Sequence, residues 1–508
     1  MDNSNTGEIK ELSLFINGRS VKSSSGSYSD CYDPSTGRVI ARAPRCTVAE
    51  LSDAIAAARA AFPAWAATPV LKRVQVLYRV RELIEKNLEE LTLLLATENG
   101  KTWDEAEGDV LKAKEGTEQA IAAPSLMMGE SIMDASTGYD TTLYREPIGV
   151  FGAIVPFNFP AMIPMGWIAP ICIATGNTIV IKAATIAPQS ALRFAELYKE
   201  AGLPDGVLNV VTCSRDETNL LLTHPDIKGI TFVGSTATGK HVYQTAAAHG
   251  KRVQALCEAK NHALVLNDAP VVRTAAGIIN SAFGCAGERC MALPAIVAEN
   301  EIADALVSEI VKQAKTLKIG PAYLKDTKLG PIVNKTQMDF ILKWIETGVN
   351  EGAKLVLDGR NPKVPGYDNG FYIGPTVFDH VMPGMSAGDE EIFGPVLCIK
   401  RAADFEEGLE LMNANQFANG SVIYTQNGYY AREFARRTHG GMVGVNVGIP
   451  VPIGMFPFAG HKNSFFGDLH CLGKDGYRFF TESKCVTTHW FTETEKLSSK
   501  VSTWDGTT

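Results

Sequence analysis

Apolar and polar positions along this chain change period from one stretch to the next. Residues 51–62 and 71–87 place apolar side chains three and four apart, which predicts two amphipathic helices. Between residues 149 and 265 short apolar runs alternate with helical stretches. The runs at 150–155, 178–182, 208–211, 229–233 and 253–256 predict strands. Helices between them make a βαβ series, hence a parallel, doubly wound sheet, whose nucleotide ligands bind at the carboxyl ends of the strands. Later, Cys485-Val486-Thr487-Thr488-His489-Trp490 alternates with the period of two of an exposed strand, an edge that calls for a partner. The tail beyond Thr492 is rich in Ser, Thr and Glu, a composition too polar to bury.

At 508 residues the chain exceeds one ordinary core, so two or more domains are expected. The formal charge is -8, with Lys and Arg scattered, which argues against a nucleic-acid surface. No apolar run approaches the roughly 18 uncharged residues of a membrane helix. The first ten residues are polar and acidic, unlike a signal peptide or an Arg-rich transit peptide. Ten dispersed cysteines form no CxxC pair with a matching His set, so no metal is expected. Together these features predict a cytoplasmic protein, although some eukaryotic relatives of the family named below are mitochondrial.

Candidate chemistry starts at Gly284-Cys285-Ala286-Gly287-Glu288-Arg289-Cys290-Met291. Arg289 brings a fixed positive charge beside Cys290, which would favour the thiolate, the form that attacks carbonyl carbon. A lone free cysteine is more often core. Three further segments raise this one above that base rate. In Val155-Pro156-Phe157-Asn158-Phe159-Pro160-Ala161, Asn158 is either a turn residue or, beside a nucleophilic thiol, an oxyanion donor. Gly234-Ser235-Thr236-Ala237-Thr238-Gly239 sits at a strand end and opens a helix. Its Gly permits close approach, its Ser or Thr caps the helix, and free N–H groups favour a phosphate. Glu390-Glu391-Ile392-Phe393-Gly394-Pro395, taken alone, would be a solvated acidic pair.

In this order and at these separations, the four segments resemble the aldehyde dehydrogenase superfamily. Residues 157–164, 287–292, Ala259-Lys260-Asn261-His262, Val451-Pro452 and Ser464-Phe465-Phe466-Gly467-Asp468-Leu469 narrow the likeness to its CoA-acylating methylmalonate-semialdehyde dehydrogenases. The likeness runs from about Leu14 to Phe491. It implies an α/β fold with a Rossmann-type cofactor domain (1–122 and 147–256) and an α/β catalytic domain (257–477). A small β oligomerisation element (123–146 and 478–493) and a disordered tail (494–508) complete it, and a homodimer or homotetramer follows. By the same resemblance, Cys290 attacks the aldehyde while Asn158 and the backbone N–H of Cys290 hold the oxyanion. Hydride then passes to NAD and a thioacyl enzyme remains. Pro156, Phe157, Lys182, Thr185, Gly234, Ser235, Gly239, Glu391 and Phe393 fall at the cofactor site, with Lys182 facing the adenosine ribose and Glu391 the nicotinamide ribose.

Several positions bear on the rest of the reaction. The water-activating glutamate of hydrolytic relatives falls at Leu256, which cannot act as a base. Relatives that use coenzyme A lack that glutamate, because a thiol needs less activation than water. The implied products are propionyl-CoA or acetyl-CoA, with carbon dioxide lost because the thioester carbonyl accepts the carbanion. Glu258 stands where the family has glycine. It is a structural carboxylate, or the displaced base of an enzyme that releases a free acid, since a shift of two on a strand returns to the same face. Ala183-Ala184-Thr185 replaces the usual Pro-Ser-Glu, removing a carboxylate that repels a 2'-phosphate and opening the site to NADP. Arg289 matches one of two family arginines that grip the substrate carboxylate. The other falls at Lys112, which keeps the charge without the fork and is otherwise an ordinary solvated lysine. A third reading is an inactive structural or binding homologue; the intact Cys290, Asn158, Glu391 and Lys182 argue against it.

Overall fold

In a computed structural model, which describes residues 9–491, the apolar run after Gly149 becomes the strand Val150–Ile154, buried along its whole length. A strand hidden on both faces requires parallel neighbours and helices above and below. Thr178–Lys182 lies parallel on one side and Ile227–Val233 on the other. Leu208–Val211 and Arg252–Leu256 extend the sheet in the same direction. All five predicted strands are therefore present, three of them with ends moved by one or two residues. Antiparallel strands close the margins. Leu14–Ile16 pairs with Leu208–Val211, and Phe465–Gly467 pairs with Arg252–Leu256. The latter comes from the 257–477 segment, so the chain returns to the first sheet after building the second.

Strand order carries the functional information. The chain runs outward from Val150–Ile154 through Leu208–Val211, then jumps to the opposite side at Ile227–Val233. This reversal opens a crevice beyond the carboxyl ends of Val150–Ile154 and Ile227–Val233. The loops leaving those two ends are 155–161 and 234–235, two of the segments singled out by their residues.

The predicted helices appear as Val48–Ala67 and Val70–Lys86. The first begins in a capping box between Thr47 and Glu50 and buries Leu51, Ala54, Ile55 and Ala58. The second sheet is parallel through Thr376–Asp379, Val396–Ala402, Ala295–Glu299, His262–Val265, Gly420–Tyr424 and Met442–Val445. Lys354–Leu357 is antiparallel at its margin. A third, antiparallel sheet pairs Thr481–His489 with Tyr139–Pro147 and that with Ser131–Ser136. The period-two strand is thus an outer strand, with residues 482–487 exposed. The predicted disordered tail, 494–508, lies outside the described residues. Among the described residues, no single helix is long and apolar enough to cross a membrane.

Candidate active site

A cavity of about 380 Å3 lies against helix Trp103–Ala120, and Cys290, Cys285, Arg289, Lys112 and Phe159 contribute to its lining. The thiol reaches it through an unusual turn. Helix Val271–Phe283 stops, and Cys285, Ala286 and Gly287 follow at φ of 52°, 51° and 73°. Left-handed backbone costs a residue with a Cβ about 1 kcal/mol or more, so the surroundings must hold it. Glu105 Oε1 accepts from the Cys285 N–H at 2.6 Å. A Cβ on Gly287 would stand 2.1 Å from the carbonyl oxygen of Gly394, so this position has to be glycine. That contact seats the thiol turn on the Glu391–Phe393 segment. Beyond the turn, Asn261 Nδ2 donates to the carbonyls of Cys290 and Ala292 at 2.9 and 2.8 Å.

The electrostatics differ from the sequence expectation. Burial pushes the Cys290 thiol up to about 12, Glu391 adds to the effect, and Arg289 only partly opposes it. Cys290 therefore rests as a thiol. Arg289 does not hydrogen-bond Cys290: its Nη2 donates to Cys285 Sγ at 3.2 Å. Its Nη1 is buried and, among the described residues, has no acceptor. A desolvated guanidinium nitrogen without a partner is costly, and a guanidinium among the lining gives the cavity a fixed positive charge suited to a carboxylate. Lys112 lines the same cavity, but its side chain is 57% exposed and ion-paired with Glu115.

Asn158 is buried in the loop after Val150–Ile154. That loop is pinned from both sides. Asn99 Nδ2 donates to the Phe157 carbonyl at 2.8 Å. Asp109 Oδ1 accepts from the Met162 N–H at 2.7 Å, and its other oxygen pairs with buried Lys101 at 2.7 Å. Among the described residues nothing hydrogen-bonds the Asn158 side-chain amide, which leaves its N–H groups for a ligand.

The cofactor candidates gather at the crevice. The rings of Phe157 and Phe393 meet edge to face with centroids 5.9 Å apart, and Pro156 precedes them in the same loop. Glu391 Oε1 accepts from the Ala259 N–H at 3.0 Å. Burial lifts the Glu391 carboxyl to about 8, with Glu258 adding and Lys260 opposing. A second cavity, about 240 Å3, is lined by Ile154, Lys182, Thr238 and Val242. Burial lowers the Lys182 ammonium from its ordinary value. Thr185 does not contribute to that lining; its carbonyl accepts from Cys31 Sγ at 3.3 Å. A Cβ on Gly239 would fall 2.2 Å from Cys257 Sγ, so glycine lets helix Thr236–Ala248 lie against its strand. A Cβ on Gly234 would likewise stand 2.7 Å from the Phe232 ring.

One expectation at this helix needs correction. Ser235 occupies the N-cap, yet its hydroxyl donates to Thr238 Oγ1 at 3.0 Å and caps nothing. The N–H of Thr236 is not free, because Glu258 Oε2 accepts from it at 2.9 Å. Glu258 therefore points to the helix end. Leu256 packs into the same apolar cluster as Cys290 and offers no base. Sequence reasoning missed Asn261, Asp109 and Glu105. Asn261 stood inside a segment already quoted, whereas Asp109 and Glu105 lie in helix Trp103–Ala120, where Glu105 carried only the signature of a capping box with Thr102. Among the described residues, no cluster of His, Cys, Asp and Glu is placed to hold a metal ion.

Known proteins match this chain over nearly its whole length. The aldehyde dehydrogenase family model matches residues 20–486. Malonate-semialdehyde dehydrogenase 2 of Geobacillus kaustophilus is 48% identical over 95% of this chain and 99% of its own length. The crystal structure of methylmalonate-semialdehyde dehydrogenase from Oceanimonas doudoroffii superposes with a TM-score of 0.93 at 40% identity, covering 95% of this chain and 99% of that one. A Sinorhizobium meliloti structure assigned to the same enzyme and complexed with NAD reaches a TM-score of 0.94 at 42% identity, covering 96% and 99%. By sequence and by fold, the chain belongs to the aldehyde dehydrogenase family, as its four segments led us to expect.

Proposed function

We propose that the protein oxidises malonate or methylmalonate semialdehyde and passes the acyl group to coenzyme A, releasing carbon dioxide. The observation that carries this reading is Arg289, which lines the cavity with Cys290 and whose buried Nη1 has no acceptor among the described residues. A β-carboxy aldehyde has the two functions such a cavity can use, a carboxylate for the guanidinium and a carbonyl for the thiol. The names of its relatives point to the same substrates.

Cys290 attacks as its thiolate, its proton passing to solvent water, and the C–S bond forms as the carbonyl electron pair moves onto oxygen. The Asn158 amide and the Cys290 N–H are the donors available to the oxyanion. NAD fits the crevice: Gly239 allows the close helix approach, Lys182 lines the cavity at the strand ends, and Phe393 and Glu391 lie on its other flank. When bound, it accepts the hydride that leaves the tetrahedral carbon. NADP competes for the same place, since no carboxylate stands at Thr185. The acyl group is then a thioester on Cys290. Leu256 leaves no carboxylate at the position that would activate water, and Glu258 is engaged at Thr236, which favours a thiol acceptor over hydrolysis. Loss of carbon dioxide follows from the thioester carbonyl taking up the electron pair. The outer strand Thr481–His489, with its exposed row at 482–487, supports a homodimer or homotetramer.

The test measures reduced-cofactor formation from malonate and methylmalonate semialdehyde, with NAD and NADP in parallel, each with and without CoA. Sustained turnover only with CoA is expected. Equal turnover without CoA would overturn acyl transfer, and failure with both semialdehydes would overturn the substrate assignment.

A further inference from the structure

We propose that Glu258 is a resident carboxylate that occupies the N-terminus of the cofactor helix in competition with the cofactor's diphosphate, and so weakens dinucleotide binding. This rests on the reading of residues 234–239 as the phosphate end of the cofactor site. A helix N-terminus presents unpaired N–H groups and a partial positive charge, which attract an anion. Here the anion is built in. Glu258 Oε2 accepts from the N–H of Thr236, the first residue of helix Thr236–Ala248, at 2.9 Å.

The backbone explains why the side chain reaches that point. Leu256 pairs with Val233 in adjacent parallel strands, and Gly234 N–H donates to the Leu256 carbonyl at 3.1 Å. Glu258, two residues further on, therefore emerges at the edge where the helix starts. It is held there on both sides: Ser464 Oγ donates to the Glu258 carbonyl at 2.7 Å, and Cys257 N–H donates to the Ser464 carbonyl at 2.8 Å. A docking diphosphate thus meets a side chain that has to swing aside, not a backbone that can withdraw. Ser235 leaves the capping role open, because its hydroxyl is spent on Thr238. A second carboxylate stands close by, since Glu391 accepts from the N–H of Ala259, the residue after Glu258. Two acids therefore flank the crevice, and Glu258 also opposes ionisation of Glu391.

The test uses the full chain without substrate and reads dissociation constants calorimetrically for ADP-ribose and for adenosine, which lacks the diphosphate. Glu258→Gln keeps an acceptor for the Thr236 N–H and removes the charge; Glu258→Gly removes both. ADP-ribose is expected to bind Glu258→Gln about tenfold more tightly than the wild type, a change of about 1.4 kcal/mol. Adenosine is expected to bind both proteins alike. Unchanged or weaker ADP-ribose binding by Glu258→Gln would overturn the proposal, as would an equal gain for adenosine. Absence of ADP-ribose binding in the wild type and both variants would overturn the cofactor reading itself, which separates the two failures.

Discussion

The two ends of the site treat charge in opposite ways. In the thiol cavity a cation waits: among the described residues Arg289 Nη1 is buried without an acceptor, while Nη2 donates to Cys285 Sγ. At the cofactor helix an anion is already seated, with Glu258 on the Thr236 N–H. The first arrangement draws a carboxylate in; the second makes an incoming phosphate displace one. A charge inferred from sequence neighbours therefore does not reveal what the charge is doing. Arg289 adjoins Cys290 in the chain but bonds Cys285, while Glu258 lies in the stretch before the catalytic segment but serves the helix.

The largest effect should come from the thiols. Cys290→Ala should abolish reduced-cofactor formation, whereas Cys285→Ala should keep most of it; the reverse pattern in steady-state assays would move the nucleophile to Cys285. Asn158→Ala should lower kcat by about 10²–10³, the cost of one oxyanion donor, and a loss under tenfold would remove Asn158 from that role. Arg289→Ala should raise KM for malonate semialdehyde by about 10- to 100-fold, as expected for a hydrogen bond to a charged group, with little change for propanal. Lys112→Ala should do much less, because its ammonium is largely exposed and paired with Glu115. Equal KM effects on both aldehydes would sink the waiting-cation reading. The last prediction concerns pH. Since burial holds the Cys290 thiol up at about 12, its thiolate fraction rises with pH throughout the working range. Iodoacetamide alkylation of Cys290 in the cofactor-free protein should therefore accelerate about tenfold per pH unit between about pH 7 and 9. A flat profile would mean that Arg289 has already made the thiolate.

Much of this architecture was written in local patterns. The buried run at 150–155 had to be an inner strand, because nothing else hides five consecutive apolar residues so economically. The glycines at 234 and 239 announced close approaches, and each has one. Far apart in the chain, Cys290 and Lys182 each line a cavity, Asn158 sits in the loop after Val150–Ile154, and Glu391 is bonded to the N–H of Ala259. Two things stayed hidden. One was the support around the site: Asp109 holds the Asn158 loop and Glu105 holds the thiol turn, yet each reads as an ordinary helical acid. The other was direction. Ser235 has the composition of a cap and does not act as one, because its hydroxyl donates to Thr238 Oγ1, while Glu258, brought alongside by strand pairing, takes the N–H of Thr236.

Sequence by itself determined the five parallel strands of the first sheet, two early helices, the family, and the residue types available for thiol chemistry. These follow from periodicity and from covalent neighbours. Tertiary structure decided the acidity of Cys290, the partner of Arg289 and the direction of Glu258. The physical reason is that desolvation and hydrogen bonding sum over groups brought together from the whole chain. Burial of a thiol by many distant residues outweighs one adjacent guanidinium, and no local pattern records that balance.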